Sequence, residues 1–250
     1  MGVTTRMTYC VGIRSEQGLV MASDSRTNAG VDNVSVYSKM HRFEFPGERI
    51  LVVLSAGNLA TTQGVIDRMQ RDLEEDHPDV PSVRRLSRMH DIAEYIGNIN
   101  RELQARYRSE NGQSSFSANA SFLLGGQIGA QPHDLLLIYP EGNYISYSPH
   151  VPFLQIGESK YGKPILDRII RPDMSLSDAA RCTLVSMDST MRSNVSVGPP
   201  FELLLYQRDS LQVMRHRVFD QDDPYYARLQ AEWSTALRNS FDGLPRFEWE

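Results

Sequence analysis

The run Ile50-Leu51-Val52-Val53-Leu54 constrains this chain more than any other stretch. It is continuous, apolar and of strand length, which suits a strand buried on both faces and so a layer of structure on either side. The period changes directly afterwards. From Ala60 to Leu73 the pattern is helical, with Val65, Met69 and Leu73 spaced by four and Asn58 placed to cap the first turn. His77-Pro78-Asp79-Val80-Pro81 breaks that helix. Ser82 is placed to cap a longer one, whose apolar positions run from Val83 through Leu86, Met89, Ile92, Ile96 and Ile99 to Leu103, about seven turns.

Before this pair of helices stand three strand-like segments, Thr8 to Ile13, Leu19 to Asp24 and Val36 to Phe45, the last preceded by the turn-rich NAGVDN. After it come Ser117 to Leu124, Leu135 to Tyr139 and Tyr144 to Ser146, with Pro140-Glu141-Gly142-Asn143 as a hairpin turn. Helices resume at Tyr161 to Ile170 and at Leu176 to Arg192, the second capped by Ser175. A hairpin of Phe201 to Tyr206 and Leu211 to Val218 follows, and Asp223-Pro224 opens a last helix toward Arg238. Strands and helices thus come in separate blocks, which argues for a layered α+β fold rather than βαβ alternation. The expected organisation is an extension at 1–7, one domain at 8–240 and a tail at 241–250.

Composition narrows the function classes. A net charge of −5 supplies no basic field for nucleic acid, and no apolar run is long enough to cross a bilayer. A signal peptide is not indicated at the start, and Arg6 stands where a myristoylation signal wants Ser or Thr. The two cysteines, Cys10 and Cys182, are too few for a disulfide framework and sit in core-like surroundings, so a reducing cytoplasm is expected. The six histidines show no ligand spacing for zinc, Gly125-Gly126 lacks the GK[ST] of a phosphate loop, and GxSxG is absent.

Chemistry-bearing residues gather at strand ends: Thr8, Ser23-Asp24-Ser25-Arg26-Thr27, Ser38-Lys39-Met40 and Ser55-Ala56-Gly57-Asn58. Singly, each reads as a strand, turn, surface or capping residue. Together, TYCVGIRSEQGLVMASDSRTNAG, the lysine that follows and LSAGNLATTQ resemble β-type subunits of the proteasome family, and more closely its bacterial branch called Anbu. The likeness in layout extends to about Tyr206. It implies an N-terminal nucleophile hydrolase with two antiparallel sheets face to face and helix pairs outside, a four-layer α/β/β/α sandwich.

The resemblance also implies roles. Thr8 would be the nucleophile once the residues before it are removed, its freed α-amine acting as base with a pKa of about 7.7–8.0. Removal would be by processing of a propeptide, or translation would start at Met7 with that methionine trimmed. Lys39 would lower the hydroxyl pKa, Asp24 would orient Lys39, and the Gly57 N–H would face a developing oxyanion with a helix N-terminus behind it. Ser196 matches a serine supporting the amine. Two positions depart from the family. Gly157-Glu158-Ser159 stands for Gly-Ser-Gly, so either Ser159 takes the serine's role or Glu158 changes the local charge. Ser193 stands for an aspartate.

The expected activity is a threonine-type endopeptidase acting on peptides or unfolded proteins within a ring or a helical or stacked homo-oligomer. No metal or organic cofactor is required, and an unfoldase partner is undefined. The rival readings are an amidase acting on small amides and a catalytically weak assembly protein. Ser55, Asn28 and Arg26 are candidate rim residues, and Phe241, Leu244, Phe247 and Trp249 are candidates for covering a neighbouring subunit.

Overall fold

In the computed structural model, which describes residues 8–28, 34–110 and 117–249, a first hairpin pairs β1 (Tyr9–Ser15) with β2 (Gly18–Asp24). A short ribbon of β3 (Arg26–Asn28) and β4 (Val34–Val36) follows, then β5 (Met40–Phe45) and β6 (Arg49–Gly57). Helices α1 (Leu59–Glu75) and α2 (Met89–Glu110) precede β7 (Ala120–Ile128), β8 (Asp134–Ile138), β9 (Tyr144–Ser146) and β10 (Phe153–Gly157). The chain continues through α3 (Lys163–Ile169), α4 (Leu176–Ser193), β11 (Phe201–Gln207), β12 (Val213–Phe219) and α5 (Pro224–Asp242). The extension expected at 1–7 and most of the NAGVDN segment, residues 29–33, lie outside the described residues.

The strands form two five-stranded antiparallel sheets, β10-β1-β2-β11-β12 and β5-β6-β7-β8-β9. Alternation along each strand sorts side chains into three interiors. Cys10, Leu19 and Met21 of the first sheet meet Ile50, Val52, Leu54, Leu123 and Leu135 of the second between the sheets. Leu51, Val53, Phe122, Leu124 and Leu136 face the opposite way, onto α1 and α2. Tyr9, Val11, Ile13, Val20 and Ala22 face α3, α4 and the start of α5. The run at 50–54 is therefore apolar throughout because both its faces are covered. The result is a four-layer α/β/β/α sandwich.

Several local expectations change. The segment Val36 to Phe45 is not one strand. It breaks at 37–39, where the Tyr37 N–H donates to the Ser25 carbonyl and the Ser38 hydroxyl bonds the Met40 backbone, turning Lys39 inward. The helix read from Ser82 starts only at Met89, and Ser82 Oγ caps nothing. The reason lies in β6: buried Arg49 donates Nη1 to the carbonyls of Val83 (3.0 Å) and Leu86 (2.6 Å), acceptors that a helix would have used itself. Strands β3 and β10 escaped the sequence pattern because they are short; β3 pairs with the neighbouring β4, whereas the partner of β10 is β1, remote in sequence. Asn58 and Ser175 cap α1 and α4 as expected.

Candidate active site

The start of β1 is held from both sides of one peptide group. The Thr8 carbonyl accepts from the Glu158 N–H at 2.6 Å, and the N–H of the same peptide, that of Tyr9, donates to Asp24 Oδ1 at 3.0 Å. Thr8 itself is buried. The Tyr9 ring anchors the strand further, its hydroxyl bonding Ser186 Oγ of α4 and Gln155 Nε2 of β10. Gly157 makes the approach of β10 feasible. It has φ +82°, and a Cβ there would fall 1.9 Å from the Thr8 carbonyl oxygen.

Asp24 ends β2 with no solvent exposure, and Lys39 Nζ reaches its Oδ1 at 2.7 Å. The same ammonium donates to the Arg26 carbonyl at 2.7 Å. Two of its three N–H donors are so engaged. Burial pushes the Asp24 pKa up from the ordinary carboxylate range, while the Lys39 charge and the Tyr9 and Gly198 amides oppose that shift. Asp24 Oδ2 makes no hydrogen bond within ordinary limits.

Strand β6 brings the next candidate alongside. Its Ser55 N–H donates to the Lys39 carbonyl at 3.0 Å, and two residues on, Gly57 ends the strand with φ +117°. A Cβ on Gly57 would fall 2.3 Å from the Asn119 carbonyl oxygen, so packing alone already demands glycine here. Asn58 then caps α1, its Oδ1 accepting from the Thr61 N–H at 3.2 Å.

Ser196 lies on the turn after α4, where its N–H donates to Asn194 Oδ1 at 2.9 Å. That turn is tied to the rest through Arg26, whose guanidinium donates to the Val195 carbonyl at 2.9 Å and lies across Gly198. Of the candidate rim residues, Ser55 is buried, Arg26 is committed to this turn, and the Asn28 side chain lies outside the described residues. Sequence reasoning missed the Arg26 carbonyl and Asn194. Neither carried a signal, because one acts through its backbone and the other is an ordinary helix-end asparagine. Among the described residues no group of three His, Cys, Asp or Glu could hold a metal ion, and no helix is long and apolar enough to cross a membrane.

Two facing five-stranded antiparallel sheets flanked by helices have the layering of the N-terminal nucleophile hydrolase fold, and a buried Asp24–Lys39 pair lies against the start of the first strand. The family model described as "Proteasome subunit" matches residues 5–204. The chain belongs to the proteasome subunit family, and within it to the Anbu branch. It is similar to the solved Anbu (ancestral beta-subunit) of Yersinia bercovieri, with 42% identity, 97% of this chain and 100% of that one covered, and a TM-score of 0.90. For the helical assembly of the Anbu complex from Pseudomonas aeruginosa the values are 44%, 96%, 98% and 0.89. For Anbu from Hyphomicrobium sp. strain MC1 they are 45%, 96%, 99% and 0.87. No curated protein sequence matches the chain.

Proposed function

We propose that this chain is a proteasome-type threonine peptidase in which Thr8, made N-terminal by loss of residues 1–7, attacks peptide carbonyls and carries the acyl group. The observation that carries this reading is the Thr8–Tyr9 peptide, held by the same Asp24 carboxylate that pairs with Lys39. Charge control and nucleophile then belong to one short circuit. The remaining N–H of Lys39 is the donor for the Thr8 hydroxyl, stabilising its alkoxide as the free α-amine takes the proton. The tetrahedral oxyanion is assigned to the Gly57 N–H, ahead of the capped N-terminus of α1. Collapse expels the amine of the leaving peptide, protonated by the α-ammonium. Water activated by the same amine then hydrolyses the ester. Ser196, on the turn tied to Arg26, supports the amine.

The subunit acts within a homo-oligomer, as the assembly formed by the Pseudomonas aeruginosa relative suggests. Peptides or unfolded proteins are the proposed substrates, and no cofactor enters the scheme. The deciding experiment starts with the chain produced from Met7, whose mass and N-terminal sequence establish a free Thr8. A peptidyl epoxyketone should then add once per chain, at Thr8, and a peptide library should be cleaved in preference to small amides. A chain with free Thr8 that resists modification would sink the proposal, and turnover of small amides alone would convert it to an amidase.

A further inference from the structure

The departure at Glu158 has a geometric counterpart that neither the Lys39 pair nor Ser196 explains. The residue is only 3% exposed. A carboxylate so placed is costly unless its oxygens are matched by donors, and here both are. Oε1 accepts from the Lys160 N–H at 3.3 Å and Oε2 from Asn194 Nδ2 at 3.2 Å. Asn194 closes α4, its N–H on the Thr190 carbonyl, and its own Oδ1 holds the Ser196 N–H. The backbone of Glu158 meanwhile binds the Thr8 carbonyl.

These bonds complete a loop around Thr8. From the Thr8 carbonyl it passes through Glu158 to Asn194, along the turn to Val195, across to Arg26, from the Arg26 carbonyl to Lys39, then to Asp24 and back to the Tyr9 N–H. Each side of the Thr8–Tyr9 peptide is thus one end of a single hydrogen-bonded circuit.

We propose that Glu158 is a positioning residue for the Thr8 site: its acceptor-only carboxylate ties the 194–198 turn, with Ser196 and the Arg26 clamp, to the strand end carrying Thr8. The catalytic half of this inference rests on the reading of Thr8 as nucleophile, whereas the structural half does not. Glutamine is nearly isosteric but offers one oxygen and one NH2, so Glu158→Gln sets a donor against either Asn194 Nδ2 or the Lys160 N–H. Combining it with Asn194→Asp restores the matches to Lys160 and Ser196 and the link between positions 158 and 194. The introduced glutamine then donates its NH2 to one oxygen of the introduced aspartate and accepts from the Lys160 N–H through its carbonyl oxygen. The second aspartate oxygen accepts from the Ser196 N–H.

The test measures amide exchange over 194–198, melting temperature and the rate of epoxyketone addition to Thr8 in the wild-type chain, Glu158→Gln and the double variant, each produced from Met7 with a free Thr8 established by mass and N-terminal sequence. Exchange in Glu158→Gln should quicken about tenfold and addition should slow roughly tenfold to a hundredfold, with both returning toward wild type in the double variant. Unchanged exchange in Glu158→Gln overturns the inference whatever Thr8 does. Faster exchange with an unchanged addition rate makes Glu158 a structural tie alone and also overturns it, as does a folded double variant that restores neither. A wild-type chain that exchanges as expected yet never reacts overturns Thr8 as nucleophile, and with it the positioning of that nucleophile.

Discussion

At the scale of single residues, the buried Asp24–Lys39 pair carries the sharpest expectation. Breaking a buried ion pair by removing one charge costs about 3–5 kcal/mol, because the partner stays buried and uncompensated. Asp24→Asn should therefore lower stability by that order in a denaturant titration and abolish modification of Thr8. Asp24→Asn combined with Lys39→Met should regain much of the stability while staying unreactive, which separates the pair's part in folding from the part in chemistry proposed for it. Gly157 offers a second test. With φ +82° and a Cβ position 1.9 Å from the Thr8 carbonyl, Gly157→Ala must move β10 off the strand end. We expect a loss of about 1–3 kcal/mol, read from thermal melting, together with slower modification of Thr8. Thr8, Asp24, Lys39, Gly57 and Ser196 entered as a proposed set because the family resemblance carried them. Their partners Asn194 and the Arg26 carbonyl did not, since neither has a distinctive side-chain signature.

At the scale of elements, two breaks matter more than any regular segment. The first, at 37–39, interrupts what reads as one strand and turns Lys39 toward Asp24; a continuous strand would have left alternation to decide its direction. The second delays α2 to Met89. Apolar spacing from Val83 to Leu103 is helical, yet the carbonyls of Val83 and Leu86 are taken by Arg49 from β6. Arg49→Met would leave both acceptors unmatched at about 1–3 kcal/mol each. Its expected signature is a lower unfolding midpoint with faster amide exchange concentrated at 82–88, and a uniform change across the chain would contradict this account. Periodicity located the helix but not its first turn, because a buried arginine more than thirty positions away competes for the same backbone groups.

At the scale of the molecule, the two sheets and their helices bury most of the large apolar side chains, and among the described residues the exposed ones gather most densely along the sequence at the C-terminal end. Helix α5 runs on to Asp242, and Leu237, Phe241, Leu244, Phe247 and Trp249 stay between 50% and 80% exposed. The Phe247 and Trp249 rings stack on each other at 4.4 Å, an aromatic pair facing outward. With each aromatic contributing about 150–250 Å² when buried, this segment approaches the roughly 800 Å² per partner of a standard interface. Removing residues 241–250 should therefore reduce the assembled mass in sedimentation, and an unchanged mass would assign this surface no part in assembly.

What the sequence by itself determined is the layering. A continuous apolar run of strand length demands cover on both sides, helical spacing supplies that cover, and the order of blocks argues against parallel alternation. It also brought the Thr, Asp, Lys and Gly set into view by resemblance. Only the tertiary structure decided how these residues are held: that one peptide group at Thr8 is gripped by Asp24 and Glu158, that Lys39 turns inward at a strand break, and that Glu158 reaches Asn194. The physical reason is the same throughout. Local pattern reports which face of an element is buried, whereas hydrogen bonds to backbone groups far along the chain depend on where folding brings them, and no side-chain periodicity encodes that.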